Sequence, residues 1–116
     1  MNLTPTSEQR FIKFADIDFK EVAPGMRRKI MAFGPDLMSV YVEFKKGAIG
    51  ALHKHPHRQI SYVVKGSFKA RIGDETQTIT AGDHYYVPAD LVHGVEALED
   101  SILIDMFTPH RADFVR

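Results

Sequence analysis

The chain has 116 residues, 44% of them hydrophobic and 26% charged, which is the composition of an ordinary globular domain and not of a disordered or fibrous segment. Fifteen Lys and Arg balance fifteen Asp and Glu, so no global field draws the protein onto nucleic acid or an anionic membrane, and any charge selectivity has to be local. Cysteine is absent, which excludes disulfides, thiolate nucleophiles and sulfur-ligated metal; any bound metal sits on nitrogen and oxygen.

A length of 116 residues suits one domain with one site. The first ten residues, MNLTPTSEQR, carry no apolar run of the kind a secretory signal needs, and no later stretch reaches transmembrane length, so a cytoplasmic protein is expected. Up to residue 36 the apolar anchors are scattered: Phe11, Ile12, Phe14, Val22, Met26, Ile30, Met31 and Phe33. This part is read as an N-terminal arm, residues 1–24, with one or two edge strands. From residue 37 the sequence breaks into short runs rich in Val, Ile, Tyr and Phe, predicting strands over 37–44, 59–64, 67–72, 76–80, 85–87, 92–98 and 101–107. Lys46-Gly47, Lys65-Gly66, Gly73-Asp74, Ala81-Gly82-Asp83, Pro88-Ala89-Asp90 and Glu99-Asp100 supply the turns between them. An antiparallel sandwich or barrel over residues 37–107 follows.

Strand side chains repeat every two residues, so parity assigns faces. Met38, Val40, Val42 and Phe44 share one face; in the next run Ile60, Tyr62 and Val64 oppose Gln59, Ser61 and Val63. That run is semi-apolar on both sides, and one side is expected to meet a second copy in a homodimer.

The segment GAIGALHKHPHRQISYVVKG, residues 47–66, places His53 and His55 two apart with Gln59 four later. In an extended segment the two imidazoles point the same way, and a third donor from the next strand can fill an adjacent corner of one coordination shell. His93, in PADLVHGVEA, is distant in sequence, but a barrel closes such gaps. His57 follows Pro56, which redirects the chain, and His57, His84 and His110 are expected to lie outside the metal shell. Three neutral imidazoles and an amide oxygen leave an ion close to its full +2 charge and therefore attractive to anions. Arg27, Arg28 and Arg111 are candidates to share such an anion, since a guanidinium fork can grip an oxyanion with two bonds. Asp105 interrupts the apolar run SILIDMF on the face it shares with Leu103 and Phe107, and a carboxylate inside a barrel is a candidate proton-transfer group.

The spacing of Gly47, His53, His55, Gln59 and Gly66 resembles the first cupin motif, with Gln59 where Glu is usual. The spacing of Gly82, Pro88, Asp90 and His93 resembles the second, with Asp90 where Gly is common and Ala97 where Asn is common. The fold this implies is all-β, a double-stranded β-helix or jelly-roll barrel with an N-terminal arm. The resemblance extends to the KdgF-type cupins of pectin and alginate breakdown. It is carried by GMRRKIMAFGPDLM, HKHPHRQISYVVKGSF and DMFTPHRADF at residues 25–38, 53–68 and 105–114.

That resemblance implies one divalent ion, Ni, Zn, Mn or Fe, held by His53, His55, Gln59 and His93. It implies a small anionic sugar as substrate, with unsaturated uronates opened to linear 5-keto-4-deoxyuronate. It also implies Asp105 as acid/base, with Arg111 and Phe107 charging and shaping the pocket. Two other readings are a metal-dependent dioxygenase or isomerase of another small-cupin type, and a non-catalytic sugar-binding barrel.

Overall fold

The computed structural model describes residues 3–115, so the first two residues of the expected arm lie outside the described residues. Its strands are β1 (Lys20–Ala23), β2 (Met26–Gly34), β3 (Leu37–Phe44), β4 (Ile49–His53), β5 (Arg58–Lys65), β6 (Ser67–Ile72), β7 (Glu75–Thr80), β8 (His84–Val87), β9 (His93–Ala97) and β10 (Ser101–Thr108). Short 3-10 turns at Phe14–Asp16 and Ala112–Phe114 flank them. No helix among the described residues is long and apolar enough to cross a membrane.

The strands form two sheets. A six-stranded sheet runs β1-β2-β3-β10-β5-β8, and a four-stranded sheet runs β4-β9-β6-β7, with every pairing antiparallel. This is the expected jelly-roll barrel. The sheets meet through a shared core in which Phe44 and Phe68 pack edge to face at 5.0 Å.

Alternation decides what enters the barrel. Met38, Val40, Val42 and Phe44 of β3 are all buried, as are Gln59, Ser61 and Val63 of β5. Register then stacks these positions into interior rungs: Met38, Phe107, Gln59 and Val87 in one, and Val40, Asp105, Ser61 and Tyr85 in the next. Burying such apolar side chains stabilises by about 1.5–3 kcal/mol each, which fixes the strand faces. A one-residue slip would turn the polar members out to solvent.

The predicted runs match β3 and β6 end to end and lie within a residue or two of the others. Strand β4 escaped the strand reading, because Gly50 interrupts it and its side chains show no buried alternation. Strand β2 belongs to the six-stranded sheet ahead of the expected barrel limit at residue 37, leaving β1 as the edge strand. The arm is tied down by Leu3 N–H donating to Asp18 Oδ2 at 2.8 Å and Glu8 N–H donating to the Phe33 carbonyl at 2.7 Å. Gly66 joins β5 to β6 at φ +84, and a Cβ there would collide with the Ser101 side chain, so this turn admits only glycine.

Candidate metal centre

Strands β4 and β9 pair so that His53 and His93 are direct register partners, their rings 4.4 Å apart. The pairing of β4 with β9 shifts register between Gly50 and His53, just ahead of the histidine pair. His55 follows in the loop to β5, buried, its carbonyl accepting from Asp90 N–H at 2.8 Å. Asp90 holds φ +64, the left-handed conformation that glycine adopts readily and that Asp tolerates. The departure noted in the second motif thus keeps the same backbone.

The three imidazoles are oriented by the main chain. Nδ1 of His53, His55 and His93 faces the carbonyls of Ala51, His57 and Leu91 at 2.8, 2.9 and 2.9 Å. A carbonyl only accepts, so each Nδ1 carries the proton and each Nε2 lone pair points inward. Ligand atoms of the three rings all lie within 4.8 Å of one another.

Gln59 completes the group. Its amide nitrogen donates to Ser61 Oγ at 2.9 Å and reaches Asp105 Oδ1 at 3.5 Å, which turns Oε1 toward the histidines. Oε1 lies 3.0 Å from His55 Nε2 and 3.2 Å from His93 Nε2. With both Nδ1 atoms protonated these are lone pairs facing lone pairs, an arrangement that a cation between them satisfies. The donor set therefore fits a divalent ion. Burial pushes the His93 imidazole down to about 4, with His53 and His55 adding to the shift, and burial lowers His55 also. Neutral imidazole is the ligating form, and burial favours it at His55 and His93.

Asp105 sits beside this group on the interior rung. Burial raises its carboxyl to about 6, opposed by Ser61, whose hydroxyl donates to Oδ1 at 2.5 Å. Both this contact and that of the Gln59 amide fall on Oδ1 and not on Oδ2. Burial also raises the Tyr85 phenol, which is turned toward Ser61 and Gln59.

His53, His93, Gln59, Asp105 and Tyr85 line a cavity of about 350 Å³ together with Phe107, Arg28, Arg111 and Phe114. A larger groove of about 610 Å³ lies along Gly25, Lys45, Lys65 and Asp100 and holds none of the histidines. Phe107 is buried with its ring edge-on to His55 at 5.6 Å. Arg111 is closed by two bonds to Asp113 at 2.8 and 3.0 Å, and that guanidinium lowers the Asp113 carboxyl.

Arg27 is not brought to the cavity. It alternates with Arg28 to the outer face of β2, where it pairs with Glu43 at 2.8 Å and lies over Phe19 at 3.8 Å. His57, His84 and His110 stay outside the imidazole group, packing on Phe107, Tyr62 and Phe33 respectively. Ser61, Tyr85 and Phe114 line or brace the cavity without having been singled out from the sequence. For Ser61 the available signal was its parity with Gln59; Phe114 arrives through the turn after β10 and leaves no strand-period trace.

A jelly-roll barrel carrying histidines from both motifs at its mouth defines the class: the chain belongs to the cupin family, with residues 40–108 matching the Cupin_2 cupin domain. Within that family the likeness is to KdgF. The pectin degradation protein KdgF of Dickeya dadantii (strain 3937) is 44% identical over 109 residues, 92% of this chain and 99% of that protein. The structure of KdgF from Halomonas sp. superposes with a TM-score of 0.87 at 42% identity, covering 91% of this chain and 98% of that one. An RmlC-like cupin from Shewanella frigidimarina gives a TM-score of 0.89 at 36% identity, covering 92% and 96%. Oxalate decarboxylase of Bacillus subtilis, a protein with Mn(II) centres, gives 0.79 at 25% identity over 97% of this chain and 33% of that one.

Proposed function

We propose that the protein converts 4,5-unsaturated uronates to linear 5-keto-4-deoxyuronate, in the cytoplasm and as a homodimer. One observation carries the reading: a metal-type donor set without an anionic member lies beside a half-buried carboxyl, Asp105, in a cavity that also holds two arginines. The similarity to KdgF supplies the substrate class, and the cavity volume of about 350 Å³ suits a monosaccharide-sized ligand.

In this reading His53, His55, His93 and Gln59 hold one divalent ion, and the bound ion supplies Lewis-acid polarisation of a substrate oxygen. The residues do the rest. The reaction is an isomerisation: the C1 hydroxyl proton leaves, the C1–O5 bond breaks to an aldehyde and an enol, and C4 takes a proton as the enol becomes a ketone. No oxidant is consumed. Asp105 Oδ2 is the atom that takes and returns protons, and a carboxyl raised to about 6 is suited to both directions near neutrality. Phe107 bounds the sugar and excludes water, while Arg28 and Arg111 set a positive wall.

The outer face of the six-stranded sheet supports the dimer, since Ile60 and Tyr86 are 44% and 52% exposed on adjacent strands. The test is loss of the conjugated double-bond ultraviolet absorbance when metal-loaded protein meets lyase-generated unsaturated galacturonate. Binding without loss of absorbance would leave only a sugar-binding barrel.

A further inference from the structure

Arg28 is an anomaly in the barrel. Its register partner on β3 is Val42, and that rung continues through Leu103 and Val63, all buried and apolar. Its Nε is buried and has no hydrogen-bond partner. No carboxylate of the described residues pairs with it; Asp113 and Asp105 act only at a distance, against Arg111, which repels it. What holds it is an aromatic ring: its guanidinium carbon lies 3.6 Å from the centre of Phe114. Arg111 approaches the same ring at 4.2 Å, so Phe114 lies in contact with both guanidiniums.

The two arginines are not equivalent. Arg111 already has both ends of its fork on Asp113, an exposed partner that leaves it nearly neutralised as a pair. Arg28 keeps its charge unpaired in the cavity wall, where a partly buried cation costs free energy until an anion reaches it. Arg28 lines the cavity with no carboxylate on its guanidinium, and an unpaired guanidinium in a cavity wall is a carboxylate receptor waiting for its ligand.

We propose that Arg28 is the specificity-determining residue that takes the substrate's carboxylate, with Phe114 as the brace that sets its fork and Arg111 as a charge-compensated neighbour. This rests on the uronate reading of the cavity. It assigns the acid group of the sugar to the β2 wall, and it makes the turn at Ala112–Phe114 part of the recognition site.

The experiment compares galacturonate with its methyl ester, which masks the carboxylate, using metal-loaded wild type, Arg28→Gln and Arg28→Lys. Wild type is expected to prefer the acid. Arg28→Gln should lose at least tenfold in affinity for the acid and nothing for the ester, and Arg28→Lys should recover only part, because it lacks the fork. An unchanged affinity for the acid, or an equal fall for both ligands, overturns the proposal. Arg28→Leu guards against a purely structural role: it continues an apolar rung and should melt no lower than wild type, and a markedly lower melting temperature counts against the assignment. Turnover separates the two readings. If wild type converts no unsaturated uronate yet discriminates acid from ester through Arg28, the reaction falls and the anchor stands. If Arg28→Gln keeps wild-type kcat/KM on the unsaturated acid, the anchor falls and the reaction stands.

Discussion

Ser61 and Asp105 are register partners on β5 and β10, and the Ser61 hydroxyl donates to Asp105 Oδ1 at 2.5 Å while accepting from the Gln59 amide at 2.9 Å. One hydroxyl therefore ties a candidate metal ligand to a candidate proton-transfer group. Asp105→Asn is expected to retain fold and metal, because Asn can accept the same Ser61 bond, yet to lose turnover by about 10²–10⁴-fold. Loss of substrate absorbance at a near-wild-type rate would remove Asp105 from the chemistry.

The metal shell makes a graded prediction. His93→Ala removes a donor that is buried and held at Nδ1 by Leu91, so chelator competition should show metal affinity falling at least a hundredfold. Gln59→Glu replaces a neutral oxygen by an anionic one, which should tighten metal and raise KM for the uronate by lowering the positive charge the substrate meets. Stripping metal from wild type should lower its melting temperature, and adding back the ion at a thousandfold over Kd should restore about 4 kcal/mol. A melting curve indifferent to chelator would rule out a metal held by the native fold.

Acid stability of the metal-free protein should reveal two opposed groups. His93 stands near 4 in the fold against an ordinary 6.5, so as pH falls through that window the unfolded chain takes a proton the fold refuses, and stability drops. His55 and His57, both lowered chiefly by burial, act in the same direction. Asp105 stands near 6 against 3.8, so between those values the fold holds a proton the unfolded chain has lost, and stability rises as pH falls. Wild type should consequently lose stability from pH 6.5 to 4, but less steeply than the three histidines alone dictate. Asp105→Asn removes the compensating group, so it should be more stable than wild type at pH 7 by about 1–3 kcal/mol and should lose stability in acid faster by up to about 1.4 kcal/mol per pH unit. Urea midpoints across that range decide it; parallel curves for the two proteins would refute the assignment.

Much of this site was legible in the sequence because it is written in strand parity. Gln59 on the buried face of its strand and Asp105 between Leu103 and Phe107 follow from a period of two, whereas His53 ends β4 and His55 lies in the loop beyond it, brought alongside by the chain's turn and not by strand parity. What parity cannot supply is lateral register. That Tyr85 stands beside Ser61, and Ser61 beside Asp105, depends on which strands pair and with what offset. The adjacent pair Arg27 and Arg28 shows a second limit: alternation says they diverge, but only the position of β2 against β3 says which one faces Val42 and the cavity. Strand β4 was hidden for a related reason, since its role is to deliver His53 and not to bury a face.

If the outer face of the six-stranded sheet joins two copies, a charge at its centre should separate them. Ile60→Glu places a carboxylate opposite Met106 and Tyr86 without touching the interior rung. The variant should elute from a sizing column as a monomer with its metal content intact. A wild-type protein that already elutes as a monomer, or a variant that remains dimeric, would move the interface elsewhere.

Gly94 offers the sharpest test of how the fold positions the metal centre. It follows His93 on β9, and a Cβ there would stand 2.8 Å from the Gly50 carbonyl and 3.1 Å from the Leu52 amide nitrogen, both backbone atoms of β4. The two strands come this close where the pairing of β4 with β9 shifts register before His53. Gly94→Ala must therefore push β4 outward, and an overpacking cost of about 1–3 kcal/mol is expected. The more telling effect is local: displacing β4 draws His53 away from His55 and His93, whose ligand atoms now lie within 4.8 Å of one another. Metal affinity should fall further than the loss of global stability accounts for, measured as chelator competition at a temperature where the variant is fully folded. Gly50→Ala provides the comparison, because its Cβ would meet the movable Val95 side chain at 3.2 Å and not the backbone. It should be the milder change, and equal losses of metal affinity in the two variants would contradict the view that the close crossing of β4 and β9 sets the position of His53.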